Sequence, residues 1–263
     1  MPAVYAHDRF GVDVREAMDE DLSAIATRYN YAYRVGLQGP DIFFFYHPWC
    51  MNRVQKYGTQ LHEADASSFF RHALRIVRKY GRDSSQYAYL LGFICHFALD
   101  SECHPYIEGQ IARSGVAHLE IEAEFEKFLL RADHLDPVGY HAANLIYADS
   151  DTAAAVQPFY PSMNQKKVVA SLKGMKLVKE LFCAPGPLKQ GAINSVMKLL
   201  RIHHKMNGLM NQRKDNPLCR KSSLRLWSLY EGAVPLAVSL QEQFDKCLRT
   251  REELPERFHR NFE

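Results

Sequence analysis

Residues Leu90–Leu99 are apolar except for one histidine, His96, and an aspartate, Asp100, closes the run. Ten residues are too few to cross a bilayer, which takes about 20. The run must therefore be packed against protein, with an imidazole inside it and a carboxylate at its edge. An ionised Asp100 in that setting has to be paired or coordinated, because isolated burial of a carboxylate is too costly. Apolar residues at helical spacing (Tyr87, Leu91, Ile94) place this stretch on a helix. Asp83 is its expected cap, and it is expected to end near His104, before Pro105.

The rest of the chain follows the same period. Asp13–Tyr29 reads as one helix through Val14, Met18, Leu22 and Ile25, and Ala66–Tyr80 as another that stops at Gly81. Val116–Leu130, Lys166–Phe182, Leu188–Asn207 and Ser222–Leu248 are further amphipathic helices, the last expected to kink or split at Pro235. Asp136–Ser162, with three prolines, reads as a connection holding one short helix. Phe43–Tyr46, enclosed by Pro40 and Pro48, reads as a buried loop. No stretch has the length and alternation of a strand, so the fold class is all-α. With 47% hydrophobic and 24% charged residues over 263 positions, the chain can bury a large core. That composition excludes disorder, collagen and coiled-coil rods as the main architecture. The start lacks a basic segment followed by an apolar one, which predicts a cytoplasmic protein with no signal peptide and no transmembrane segment.

Charge divides the chain. Residues 1–150 carry 14 Lys/Arg and 20 Asp/Glu, a net −6, and nine of the twelve histidines; residues 151–263 carry 19 and 10, a net +9. The division suggests a cation-binding region, 1–150, with a basic helical region, 151–263, packed on it and facing an anion. The six cysteines form no CxxC pair and read as free thiols. Cys95 and Cys103 each precede a histidine, but adjacent helical residues point about 100° apart, which argues against thiolate ligation.

The sharpest pattern is His96-x3-Asp100-x3-His104. Each four-residue step turns a helix by a net ~40° and rises ~6 Å, so all three side chains share one flank. His96 and Asp100 can share one metal, whereas His104, ~12 Å further along from His96, should serve another. His118-x3-Glu122 is a second pair of the same kind on the following helix and could join His104. Imidazole and carboxylate donors without thiolate suit a hydrolytic zinc centre. Upstream lie His7, His62, and Asp41 in Gly39-Pro40-Asp41-Ile-Phe-Phe-Phe, where the Gly-Pro turn can hold the carboxylate rigidly among aromatics.

The ordered series His7, Asp41, His62, His96-x3-Asp100, His104, His118-x3-Glu122 resembles the zinc-dependent phospholipases C and the related single-strand-specific zinc nucleases. The phrases Met-Pro-Ala-Val-Tyr-Ala-His and Gly-Pro-Asp-Ile-Phe-Phe-Phe are most similar to a bacterial branch on the phospholipase side. The resemblance covers about residues 1–130 and fades beyond about residue 150. It implies a multi-helix bundle with two or three zinc ions. One ion would be held by Asp41, His62, His96 and Asp100. A second would share Asp100 and add His7 and the amino terminus, and a third would sit on His104, His118 and Glu122. The implied reaction is phosphodiester hydrolysis by activated water, with Asp41 and Asp100 as the catalytic carboxylates. The implied substrate is a phospholipid or a soluble analogue.

The basic second region fits an anionic membrane surface or, as a second choice, nucleic acid. The alternatives are a single-strand-specific nuclease and a non-catalytic metal-binding helical protein. Phe43, Phe44, Phe45, Tyr46 and Trp49 are candidates for an apolar entrance beside Asp41.

Overall fold

The computed structural model describes residues 3–262. Among them are twelve α-helices, several short 3-10 turns and no strand, in line with the all-α expectation. The helices are α1 (Val4–Ala17), α2 (Glu20–Arg28), α3 (Asn30–Gly36), α4 (Arg53–Glu63), α5 (Ser67–Tyr80), α6 (Ser85–Ser114), α7 (His118–Ala132), α8 (Ser150–Val156), α9 (Gln165–Phe182), α10 (Pro187–Leu199), α11 (His203–Met206) and α12 (Arg220–Thr250). None is long and apolar enough to cross a membrane.

Helix α6, 30 residues and so about 45 Å long, carries the apolar run and is buried from Gln86 through Ser101. Helices α1, α2, α3, α5, α7, α8 and α12 all pack on it. One continuous apolar core runs from α1 to Phe262 beyond α12. The closest approach is that of α3. A Cβ on Gly36 would lie 2.1 Å from the Tyr89 carbonyl oxygen, and one on Gly92 would lie 2.1 Å from that of Tyr33. The two backbones therefore touch through reciprocal glycines.

Several boundaries differ from the sequence reading, each for a local reason. Asp13–Tyr29 is two helices: Met18 is extended, and the Asp19 side chain accepts from Asp21 N to cap α2. The cap of α6 is Ser84, whose Oγ accepts from Tyr87 N, while Asp83 pairs with Arg28. Pro105 does not end α6, which continues to Ser114. A proline removes one backbone bond and costs about 3 kcal/mol, but Cys103, His104 and Ile107 are buried around it and hold the helix. Pro235 likewise lies inside an unbroken α12, where Ala233, Ala237 and Leu240 are buried. The Leu188–Asn207 helix stops at Leu199, because Arg201 takes a φ of +57°. Phe43–Tyr46 is not a loop: Gly39–Phe45 forms a seven-residue 3-10 helix.

Gly92→Ala is expected to cost about 3 kcal/mol, since backbone meets backbone and cannot yield. Gly191→Ala in α10 meets nothing within 4 Å and is expected to stabilise by about 1 kcal/mol. Urea unfolding midpoints at an unchanged m-value measure both.

Candidate metal centre

Five elements bring the eight sequence-identified side chains together. Helix α1 supplies His7, the 3-10 helix Asp41, α4 His62, α6 His96, Asp100 and His104, and α7 His118 and Glu122. Their ligand atoms fall into three groups, each within 4.8 Å: Asp41–His62–His96, His7–His96–Asp100 and His104–His118–Glu122. All but His118 are buried. The four-residue set implied for one zinc is thus divided here. His96 belongs to two groups, and Asp100 converges with His7 and His96. The amino terminus, the other implied ligand, lies outside the described residues.

Backbone carbonyls fix the histidine rings. His62 Nδ1 donates to its own helix at Gly58 O (2.8 Å), and His96 Nδ1 donates to Leu37 O (3.2 Å) at the end of α3. Burial pushes the His62 pKa down to about 4 and lowers that of His96, so both rings are neutral near pH 7. A neutral ring that donates through Nδ1 presents a lone pair at Nε2. Those lone pairs confront carboxylate oxygens: His62 Nε2 lies 2.9 Å from Asp41 Oδ1, and His96 Nε2 lies 3.1 Å from Asp100 Oδ2. His96 Nε2 and Asp100 Oδ2 make no well-aligned hydrogen bond despite their burial. At His96 and Asp100, acceptor facing acceptor repels unless a cation lies between, and ring orientation by a carbonyl on the far nitrogen is the usual support of a metal-bound histidine. The donor set, imidazole plus carboxylate, suits zinc.

Asp100 is the hub. Its carboxylate lies 3.4 Å from His7 Nε2, 3.1 Å from His96 Nε2 and 3.6 Å from His104 Nε2. Against the cost of burial, His104, His96 and His7 hold its pKa well below the usual carboxylate range. The third group behaves differently. His118 stands between Glu122 and Glu108, 3.1 Å from each. Against the cost of burial, these carboxylates raise its pKa to about 9. No cysteine joins these groups: Cys95 is pushed up to about 12 by burial, and the Cys103 thiol is raised for the same reason.

Two glycine and aromatic contacts complete the pocket. Gly39, at a φ of +51°, lies against the His96 ring, where a Cβ would come within 2.3 Å of the ring. That close approach sets Asp41, two residues on, beside His62. Phe262 was missed by sequence reasoning. It donates its N–H to His62 O (3.1 Å), and its ring lies 5.3 Å from the His62 ring and 5.8 Å from the His96 ring. Arg257 anchors the same segment on Ser101 Oγ and Glu102, each at 2.8 Å. The only sequence signal was a pair of phenylalanines, Phe258 and Phe262, in an otherwise polar tail.

A family model described as zinc dependent phospholipase C matches residues 9–165. The chain belongs to the zinc-dependent phospholipase C family. The match takes in seven of the eight side chains, all except His7, and extends past the stretch whose motifs carry the resemblance. No curated protein and no solved structure matches the chain.

Zinc titrated into metal-free protein at pH 7.5 is expected to displace protons from the His104–His118–Glu122 group and none from the His62 and His96 rings. The sign follows from the pKa directions: His118 is protonated below about 9 and must deprotonate to bind, whereas His62 and His96 are already neutral. Calorimetry in two buffers of different ionisation enthalpy reads the difference, and His118→Gln is expected to diminish the released fraction.

Proposed function

We propose that this protein is a zinc-dependent phosphodiesterase of the phospholipase C type. It cleaves the bond between phosphorus and the glycerol oxygen of a phospholipid, leaving a diacylglycerol and a phosphorylated headgroup. The observation that carries the lipid reading is a cleft of about 620 Å³, lined by apolar residues including Phe44, Trp49, Leu119, Phe182, Leu200 and Met206. It adjoins the metal groups on two sides. The Phe44 ring lies 5.2 Å from that of His62, and Leu119 follows His118 in α7. Asp41 and Phe44 are three residues apart on a 3-10 helix, where such positions eclipse, so the carboxylate and a cleft-lining ring share one face. Of the aromatic set, Phe44, Phe45 and Trp49 line the cleft, whereas Phe43 is core.

The proposed ligands are His7, Asp41, His62, His96, Asp100, His104, His118 and Glu122, for two or three ions. Zinc bound there supplies Lewis-acid stabilisation of the phosphoryl oxygens and water of depressed pKa. The chain's own residues do the rest. Gly58 and Leu37 carbonyls hold the rings of His62 and His96. Phe262 and Phe44 exclude bulk water from them. Asp41, beside the cleft, accepts the proton of the attacking water at a carboxylate oxygen, and Asp100 holds three histidines in register. Residues 1–150 act as the metal-binding region, and 151–263 contribute α9, α10 and α11 to the cleft.

The zinc-loaded protein is expected to hydrolyse a chromogenic phosphocholine ester and to contain two or three ions by elemental analysis. Asp41→Asn is expected to lower kcat by about 100-fold or more. Asp100→Asn is expected to lose more metal and activity than Glu122→Gln, because Asp100 approaches three histidines and Glu122 two. Less than one ion per chain after loading, or cleavage of single-stranded DNA alone, overturns the reading.

A further inference from the structure

Helix α10 is amphipathic with its apolar side outward. Leu188, Ala192, Val196 and Leu199 fall within an arc of ~80°, and all four are exposed, Leu188 at 88% and Leu199 at 82%. The opposite side buries Gln190 and Met197. A helix that turns its aliphatic stripe to solvent lacks the partner that this stripe is built for. Leu199 is followed by Leu200, which lines the cleft. Trp49, 63% exposed, lines it too, and Met51, 81% exposed, follows two residues later. The C-terminal end of the stripe and the Trp49–Met51 segment therefore adjoin the cleft.

The charge on and after α10 is mostly positive. Leu181–Arg220 contains seven Lys/Arg and one acidic residue, Asp215. Asp215 is engaged by Lys127 and Arg131, at 2.7 and 2.8 Å. Helix α10 itself has no acidic residue. Lys198, Arg201 and Lys205 are exposed among Leu199, Leu200 and Ile202. Aliphatic side chains with interleaved cations are the composition of a helix that lies in the headgroup region of an anionic bilayer. A second copy fits poorly, since two-fold pairing sets this basic face against itself. Nucleic acid fits poorly because the exposed apolar residues of α10 are aliphatic and offer no stacking surface.

We propose that α10 and the Trp49–Met51 segment form a docking face for an anionic lipid bilayer, which seats the cleft mouth on the membrane. The proposal deepens the phospholipid reading of the same cleft and rests on it for its purpose. Docked this way, a lipid moves from the bilayer into the cleft without its acyl chains crossing water. Helix α10 lies beyond the residues matched by the family model, which end at 165.

The test is co-sedimentation of the full chain with vesicles of phosphatidylcholine containing a third phosphatidylglycerol, beside hydrolysis of the soluble phosphocholine ester. Leu188→Gln, Val196→Gln and Leu199→Gln combined keep helix propensity and line no part of the cleft. This variant is expected to bind vesicles at least tenfold more weakly, with soluble-ester turnover unchanged. Lys198→Gln with Lys205→Gln is expected to weaken binding several-fold at low salt and little at high salt. Vesicle binding by a protein that hydrolyses no ester supports the docking face and overturns the enzymatic reading. Equal vesicle binding by wild type and the triple variant overturns the docking face. So does failure of an ester-active wild type to bind, or micromolar self-association that the triple variant abolishes.

Discussion

Gly36 and Gly92 let the backbones of α3 and α6 touch, and the geometry of the metal pocket follows from that contact. One residue past Gly36, the Leu37 carbonyl reaches His96 Nδ1, one turn past Gly92 on α6. Two residues further, Gly39 passes over the His96 ring and turns Asp41 toward His62. A Cβ at any of these three glycines collides with its neighbour, at 2.1 Å for Gly36 and Gly92 and 2.3 Å for Gly39. Spacing along α6 alone puts His96 and Asp100 on one flank. The backbone contact decides which way the imidazole faces and what stands opposite it.

The pocket gathers three buried carboxylates, Asp41, Asp100 and Glu122, around histidines of which His7, His62 and His96 are kept neutral by burial. Acidic groups so placed raise the energy of the folded chain unless cations offset them. A metal held by these groups would therefore be coupled to folding as well as to chemistry. The basic second region brings one buried cation toward these carboxylates, Lys179, whose charge interacts with Glu126 and Glu122. The region's exposed charges lie outward around α10, and its Asp215 pairs with the buried Lys127 of α7.

Period and spacing made the helices and the paired ligands legible. Phe70, Leu74 and Val77 repeat at helical intervals, and His96, Asp100 and His104 follow at steps of four. Helix ends were less legible, because packing outweighs local rules. Pro105 and Pro235 sit inside helices whose neighbours on both sides are buried. The supports of the rings were not legible at all, since a carbonyl such as Leu37 O or Gly58 O carries no side-chain signature. Phe262 escaped for a different reason: it belongs to no periodic stretch and meets its partners only through the fold.

Phe262 also ties the site to the order in which the fold is assembled. The wall behind His62 and His96 arrives from Phe262, more than 150 positions downstream of His96, carried there by α12 and pinned by Arg257. Contacts of such sequence separation form late. A partly folded chain with α1, α3, the Gly39–Phe45 3-10 helix, α4, α6 and α7 in place would gather the candidate ligands but leave two of the rings open to water and to competing chelators. Retention of a metal held by these side chains would then depend on the last segment to dock, even though that segment contributes none of them.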